Sequence, residues 1–204
     1  MIDQNIINAS TDTANLSIIN RKTTASPMLY LVNNVFDDKL INSLKDYLKQ
    51  DKLPWIENEK GHDHRARISW DSDTVIEELH NVCNNLTSIV TDQFFDQPLN
   101  FIGVSIWKDQ HPFNMGWHSD NPIINVALQV YLFDAPPQFG TSFLINDVDI
   151  PVPYIHNSGY ISVTKSQPGT KHRVTNPTPI GITRYSAYAI WSVANKIIEK
   201  ETTC

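Results

Sequence analysis

The stretch "INVALQVYLF" (residues 124–133) separates into two sets of side chains at every second position. In an extended strand, residues i and i+2 share a face. Ile124, Val126, Leu128, Val130 and Leu132 make one unbroken aliphatic face, suited to packing on a helix layer. Asn125, Ala127, Gln129, Tyr131 and Phe133 make the other, which is polar and aromatic but carries no charge. Such a face either meets water or walls a partly enclosed cavity. Directly upstream stands "MGWHSDNPI" (115–123), with a histidine and an aspartate two positions apart.

The surroundings of this strand set the fold class. From Phe101 onward the chain breaks into short β-type runs separated by Pro, Gly, Asn and Asp: "FIGVSIW" (101–107), "TSFLI" (141–145), "GYISVT" (159–164), "KHRV" (171–174) and "ITRYSAYAIW" (182–191). Before them come a strand, "MLYLVNNVF" (28–36), and two helical patterns. In 37–50 an acidic start precedes Leu40, Ile41, Leu44, Tyr47 and Leu48 on one helical face. In 72–95, Val75, Leu79, Val82, Leu86 and Val90 follow the helical period, with Ser72 or Asp73 as the cap. Helices followed by many short strands predict an α+β fold with a β-sandwich or barrel core. Residues 1–27 are polar and read as a mobile segment or a strand that docks late, and 28–204 as one domain with helical support over 28–100.

The chain has 204 residues and a formal net charge of -6, which disfavours general nucleic-acid binding, since that relies on a basic surface. Cys83 and Cys204 are the only cysteines, so disulfide stapling is not expected. With no apolar run of membrane-spanning length and no signal-peptide layout, the expected location is the cytoplasm.

The last strand carries the first chemical signal. Arg184, Ser186, Tyr188 and Ile190 share one face, and Tyr185, Ala187, Ala189 and Trp191 the other. An arginine inside a protein calls for an anion, and its planar fork suits a carboxylate. Ser186 offers a hydroxyl to the same anion. His118 and Asp120 project together from one extended segment, and His172, just before the terminal strand, is the natural third ligand. Two imidazoles and one carboxylate leave open positions on a metal and suit non-haem Fe(II). His62 and His64 in "HDHRAR" form another pair, but that run reads as an exposed loop or hairpin.

In that order and on β-type segments, His118-Ser119-Asp120, His172 and Arg184-Tyr185-Ser186 resemble the 2-oxoglutarate/Fe(II)-dependent dioxygenases, and most closely their prolyl-hydroxylase-like branch. The resemblance covers residues 101–193. It implies a double-stranded β-helix, or jelly roll, of antiparallel strands buttressed by the N-terminal helices. It implies Fe(II) on His118, Asp120 and His172, and 2-oxoglutarate on Arg184, Ser186 and Tyr131, with O2 as the oxidant. Trp107 stands near the place of a family tyrosine, and Gly140-Thr141 where relatives often carry a Gly-Gly pair. Trp107, Gln129 and Trp191 are the candidates for the substrate pocket. The implied reaction hydroxylates a C–H bond of a prolyl or other peptide or amino-acid side chain, or of a small molecule, releasing succinate and CO2. The alternative is a non-catalytic jelly-roll module that binds a metal or ligand.

Overall fold

The computed structural model describes residues 6–11, 14–20, 28–57, 63–69, 74–164 and 170–193. Its strands are β1 (Ile6–Thr11), β2 (Ala14–Asn20), β3 (Met28–Asn33), β4 (Ile56–Glu57), β5 (Arg65–Ser69), β6 (Leu99–Asp109), β7 (Val126–Tyr131), β8 (Thr141–Ile145), β9 (Val148–Val152), β10 (Ser158–Val163), β11 (Lys171–Val174) and β12 (Arg184–Val193). Among the described residues, nine form one sheet in the order β1-β2-β3-β10-β7-β12-β6-β5-β4, and three form a second, β11-β8-β9. Every pairing is antiparallel. This is the two-sheet core expected from the short, breaker-separated runs, in the jelly-roll form that the resemblance implies.

The helices α1 (Asp38–Leu48), α2 (Thr74–Asn85) and α3 (Thr87–Phe94) cover one face of the large sheet. α1 starts where expected, because the Asp37 carboxylate accepts a hydrogen bond from the Leu40 amide at 2.7 Å. Its buried residues are the five that the period selects. They pack with Val126, Leu128, Val130 and Leu132 from the aliphatic face of β7, and with Ala187, Ala189 and Trp191 from β12. The other face of the large sheet meets the small sheet through a second core of Leu29, Tyr131, Tyr160, Phe143, Ile145, Val152 and Tyr154. The polar-aromatic face of β7 is therefore enclosed between sheets, with Gln129 only 8% exposed and Tyr131 fully buried.

One expectation needs correction, and two open alternatives are resolved. The helical pattern 72–95 is two helices, because the Leu86 amide donates to the Cys83 carbonyl in a tight three-residue step. Asn84 and Asn85, whose side chains compete for backbone hydrogen bonds, precede the break, and Leu86 is driven fully into the core. The proposed caps Ser72 and Asp73 lie outside the described residues. In the N-terminal segment, residues 6–11 and 14–20 take the strand alternative, since the free edge of β3 offers backbone hydrogen bonds to β2. The rest of that segment lies outside the described residues. Finally, "HDHRAR" takes its hairpin alternative: Arg65–Ser69 is strand β5, paired to β4 and to β6. His62 lies outside the described residues.

Candidate metal and co-substrate site

His118 and His172 come together through the backbone. Their amides and carbonyls exchange hydrogen bonds of 3.0 and 2.8 Å, so the segment before Asn121 adds to the edge of β11. A directly opposed antiparallel pair puts side chains side by side on one face. The two imidazole rings are accordingly 4.2 Å apart, centroid to centroid. Asp120, two residues on, turns back to the same spot, with its Oδ1 3.7 Å from His172 Nε2. One ligand atom from each of His118, Asp120 and His172 lies within 4.8 Å of the others.

The ring nitrogens are already assigned. His118 Nδ1 donates to the Gly116 carbonyl at 2.9 Å, and His172 Nδ1 to the Thr170 carbonyl at 3.2 Å. A carbonyl only accepts, so each Nδ1 carries the proton and each Nε2 keeps its lone pair for a metal. Phe143 stacks on His172 at 5.4 Å and fixes its ring plane. Burial, followed by the neighbouring His172, pulls the His118 pKa below its ordinary value and favours the neutral, ligating form.

The trio opens onto a cavity of about 260 Å3 between the two sheets, whose wall also includes Arg184, Thr141, Gln129, Tyr188, Trp107 and Arg65. Arg184 is 2% exposed, and its Nε and Nη1 have no hydrogen-bond partner among the described residues. Its Nη2 lies 3.8 Å from Asp109 Oδ2, beyond hydrogen-bond reach. A buried guanidinium with two idle donors is costly unless an anion fills the space before it. Ser186 Oγ accepts from Gln129 Nε2 at 3.1 Å, and Gln129 in turn accepts from the Tyr160 hydroxyl. That chain uses a lone pair of Ser186, which is 3% exposed and, unlike Arg184 and Gln129, is not part of the cavity wall.

Other candidates sit differently. The Tyr131 hydroxyl donates to Thr141 Oγ1 at 3.0 Å, so it stands behind Thr141 rather than in the cavity wall. Burial raises its pKa, with the Arg184 charge pulling the other way. Trp107 and Gln129 line the cavity as expected. Trp191 does not: it is fully buried among the helices, 5.3 Å from the Phe101 ring, and donates to Thr87 Oγ1 at 3.0 Å. Alternation along β12 explains this, because Trp191 is on the face opposite Arg184.

Four residues of the site escaped the reading of the sequence. Thr141 and Tyr188 were on cavity-facing strands, and Tyr188 was already on the Arg184 face. The Tyr188 hydroxyl is enclosed, and burial with the Asp120 charge nearby holds its pKa high. Arg65 and Asp109 had no local signal.

No protein-family model matches this chain, and no curated protein matches it. Solved structures do. A prolyl hydroxylase from Trichoplax adhaerens, in complex with a hypoxia inducible factor oxygen degradation domain peptide fragment, aligns with a TM-score of 0.65 and 11% identity, covering 84% of this chain and 86% of that one. HygX from Streptomyces hygroscopicus, with nickel, 2-oxoglutarate and hygromycin B bound, aligns with a TM-score of 0.61 and 13% identity over 81% and 83% of the two chains. SnoN, a non-heme alpha ketoglutarate dependent epimerase from nogalamycin biosynthesis, aligns with a TM-score of 0.60 and 12% identity over 81% and 78%. The fold is thus the double-stranded β-helix found in 2-oxoglutarate-Fe(II) oxygenases.

Proposed function

We propose that this protein is an Fe(II)- and 2-oxoglutarate-dependent dioxygenase that hydroxylates a C–H bond. The carrying observation is the placement of two opposite demands in one cavity: three ligand atoms within 4.8 Å of one another, and a buried arginine with two idle donors. A divalent metal answers the first demand and a dicarboxylic acid that reaches from that metal to Arg184 answers the second. The donor set fits, since neutral imidazole and carboxylate leave open positions for a chelating acid and a gas.

Fe(II) and 2-oxoglutarate, when bound, supply the activation of O2 that oxidises a C–H bond with release of succinate and CO2. The chain itself does the holding. His118, Asp120 and His172 would keep the metal, their rings fixed by the Gly116 and Thr170 carbonyls. Arg184 would take the far carboxylate of the co-substrate, with the Ser186 hydroxyl beside it. Tyr131 would act through Thr141, holding that hydroxyl in place.

For the substrate we favour a prolyl or other peptide or amino-acid side chain. The cavity of about 260 Å3 must hold the co-substrate as well, so only a small group of the substrate enters and its remainder stays at the open side. A small molecule with one exposed reactive edge meets the same condition. Trp107 and Gln129, which line the cavity, would touch the entering group. The non-catalytic module has no use for idle donors on a buried guanidinium. Among the described residues, no helix is long and apolar enough to cross a membrane; we place the protein in the cytoplasm.

The deciding experiment is a panel of peptides and metabolites with Fe(II) and 2-oxoglutarate. The expected product gains the mass of one oxygen atom in step with succinate. Metal-loaded protein that neither binds 2-oxoglutarate anaerobically nor forms succinate with any substrate refutes the proposal.

A further inference from the structure

Asp109 occupies a position that β-sheet register makes unusual. It ends β6, directly opposite Arg65 on β5 and directly opposite Arg184 on β12. The row Arg65–Asp109–Arg184 therefore crosses three adjacent strands with one carboxylate between two guanidiniums. Asp109 is 1% exposed, so its charge needs a partner inside the protein. It has chosen one. Arg65 Nε and Nη2 donate to Asp109 Oδ1 and Oδ2 at 2.6 and 3.1 Å, a two-pronged, charge-assisted pair. Arg184, at 3.8 Å, makes no hydrogen bond to it.

Arg65 is unusually fixed for a long side chain. Its guanidinium carbon lies 4.7 Å from the Trp107 ring centroid and 4.3 Å from that of Phe113. Two aromatic contacts and a two-pronged carboxylate leave it little rotamer freedom. The consequence falls on Arg184. If Asp109 were not engaged by Arg65, a shift of under about 1 Å would bring it into hydrogen-bond range of Arg184. A buried carboxylate would then fill the guanidinium donors that a ligand's carboxylate needs.

We infer that Arg65 is a positioning residue for co-substrate recognition: by holding Asp109 it keeps Arg184 open for the far carboxylate of 2-oxoglutarate. This rests on the reading of the site given above. Trp107 then has a role in this chain as one of the rings that fixes Arg65. Arg65 also lines the cavity and its charge reaches His118, so removing the Asp109 carboxylate is what separates its hold on Asp109 from a direct contact.

The test uses the full chain loaded anaerobically with Fe(II), titrated calorimetrically with 2-oxoglutarate and with 2-oxobutanoate, which has the same chelating head but no far carboxylate. Arg65→Gln is expected to weaken 2-oxoglutarate by about tenfold or more, the size of one charged hydrogen-bond exchange. Its 2-oxobutanoate affinity should be unchanged, which also reports that the variant is folded and holds metal. Arg65→Gln combined with Asp109→Asn removes the competitor and is expected to restore most of the 2-oxoglutarate affinity. Arg65→Lys, which keeps the charge but loses the fork, should fall between wild type and Arg65→Gln. Equal loss of both acids in Arg65→Gln, no loss of either, or no recovery in the double variant overturns the inference. Wild-type protein that binds 2-oxoglutarate no better than 2-oxobutanoate overturns the co-substrate reading itself, and this inference with it.

Discussion

Replacing Arg184 with methionine should move stability and ligand binding in opposite directions. Arg184 is 2% exposed, and its Nε and Nη1 have no hydrogen-bond partner among the described residues. Each unmet buried donor costs about 1–3 kcal/mol. Asp109 keeps its two bonds from Arg65 when Arg184 is gone, so the change leaves no orphaned carboxylate behind. Arg184→Met should therefore stabilise the ligand-free protein by about 1–3 kcal/mol, as replacement of buried charge by apolar groups commonly does. For a chain of this length that is a rise in Tm of about 3–10 °C. The same change strands the far carboxylate of 2-oxoglutarate, at a cost of about 3–5 kcal/mol. Affinity should fall by roughly 10²–10⁴-fold. Thermal melts of metal-loaded, anaerobic protein with and without 2-oxoglutarate read both effects: a higher Tm without ligand, and no further rise on adding it. A variant that melts lower than wild type and still gains stability from 2-oxoglutarate would refute the reasoning, because Arg184 would then be a structural partner and not a waiting one.

Other expectations concern separate parts of the molecule. The folded protein favours neutral His118, so that group's contribution to metal-free stability is complete above its unfolded value of about 6.5 and is lost as pH falls through its lower folded value; melts across this range should show a step that His118→Asn removes. A Cβ on Gly159 would run into the backbone carbonyl oxygen of Gln129. Gly159→Ala should accordingly cost about 1–3 kcal/mol by denaturant titration and weaken 2-oxoglutarate binding, since Gln129 supports Ser186. Trp191→Phe should lower stability by about 1–3 kcal/mol through lost packing and the lost Thr87 hydrogen bond. Its 2-oxoglutarate affinity should stay at the wild-type value, and a changed substrate preference would return Trp191 to the pocket.

What was legible in the chain was what depends on local period. The two faces of 124–133 follow from the two-residue repeat of a strand, and the buried face of α1 from the helical repeat. The same alternation put Arg184, Ser186 and Tyr188 on one side of β12 and Trp191 on the other; including Trp191 in the pocket went against that rule. His118 and Asp120 were readable because their spacing is local. Adding His172 depended on the order of motifs along the chain.

The remainder depended on which strands became neighbours. Nothing local joins Arg65 to Asp109, 44 residues later, or brings either to Arg184. The N-terminal strands form against an edge that β3 supplies, and the helix break at Leu86 answers to a core made by distant strands. Sequence by itself determined the faces of the elements and the types of ligand group, because side-chain direction repeats along each element. Tertiary structure alone decided the cross-strand register, and with it which of two arginines holds Asp109 and which is left with open donors.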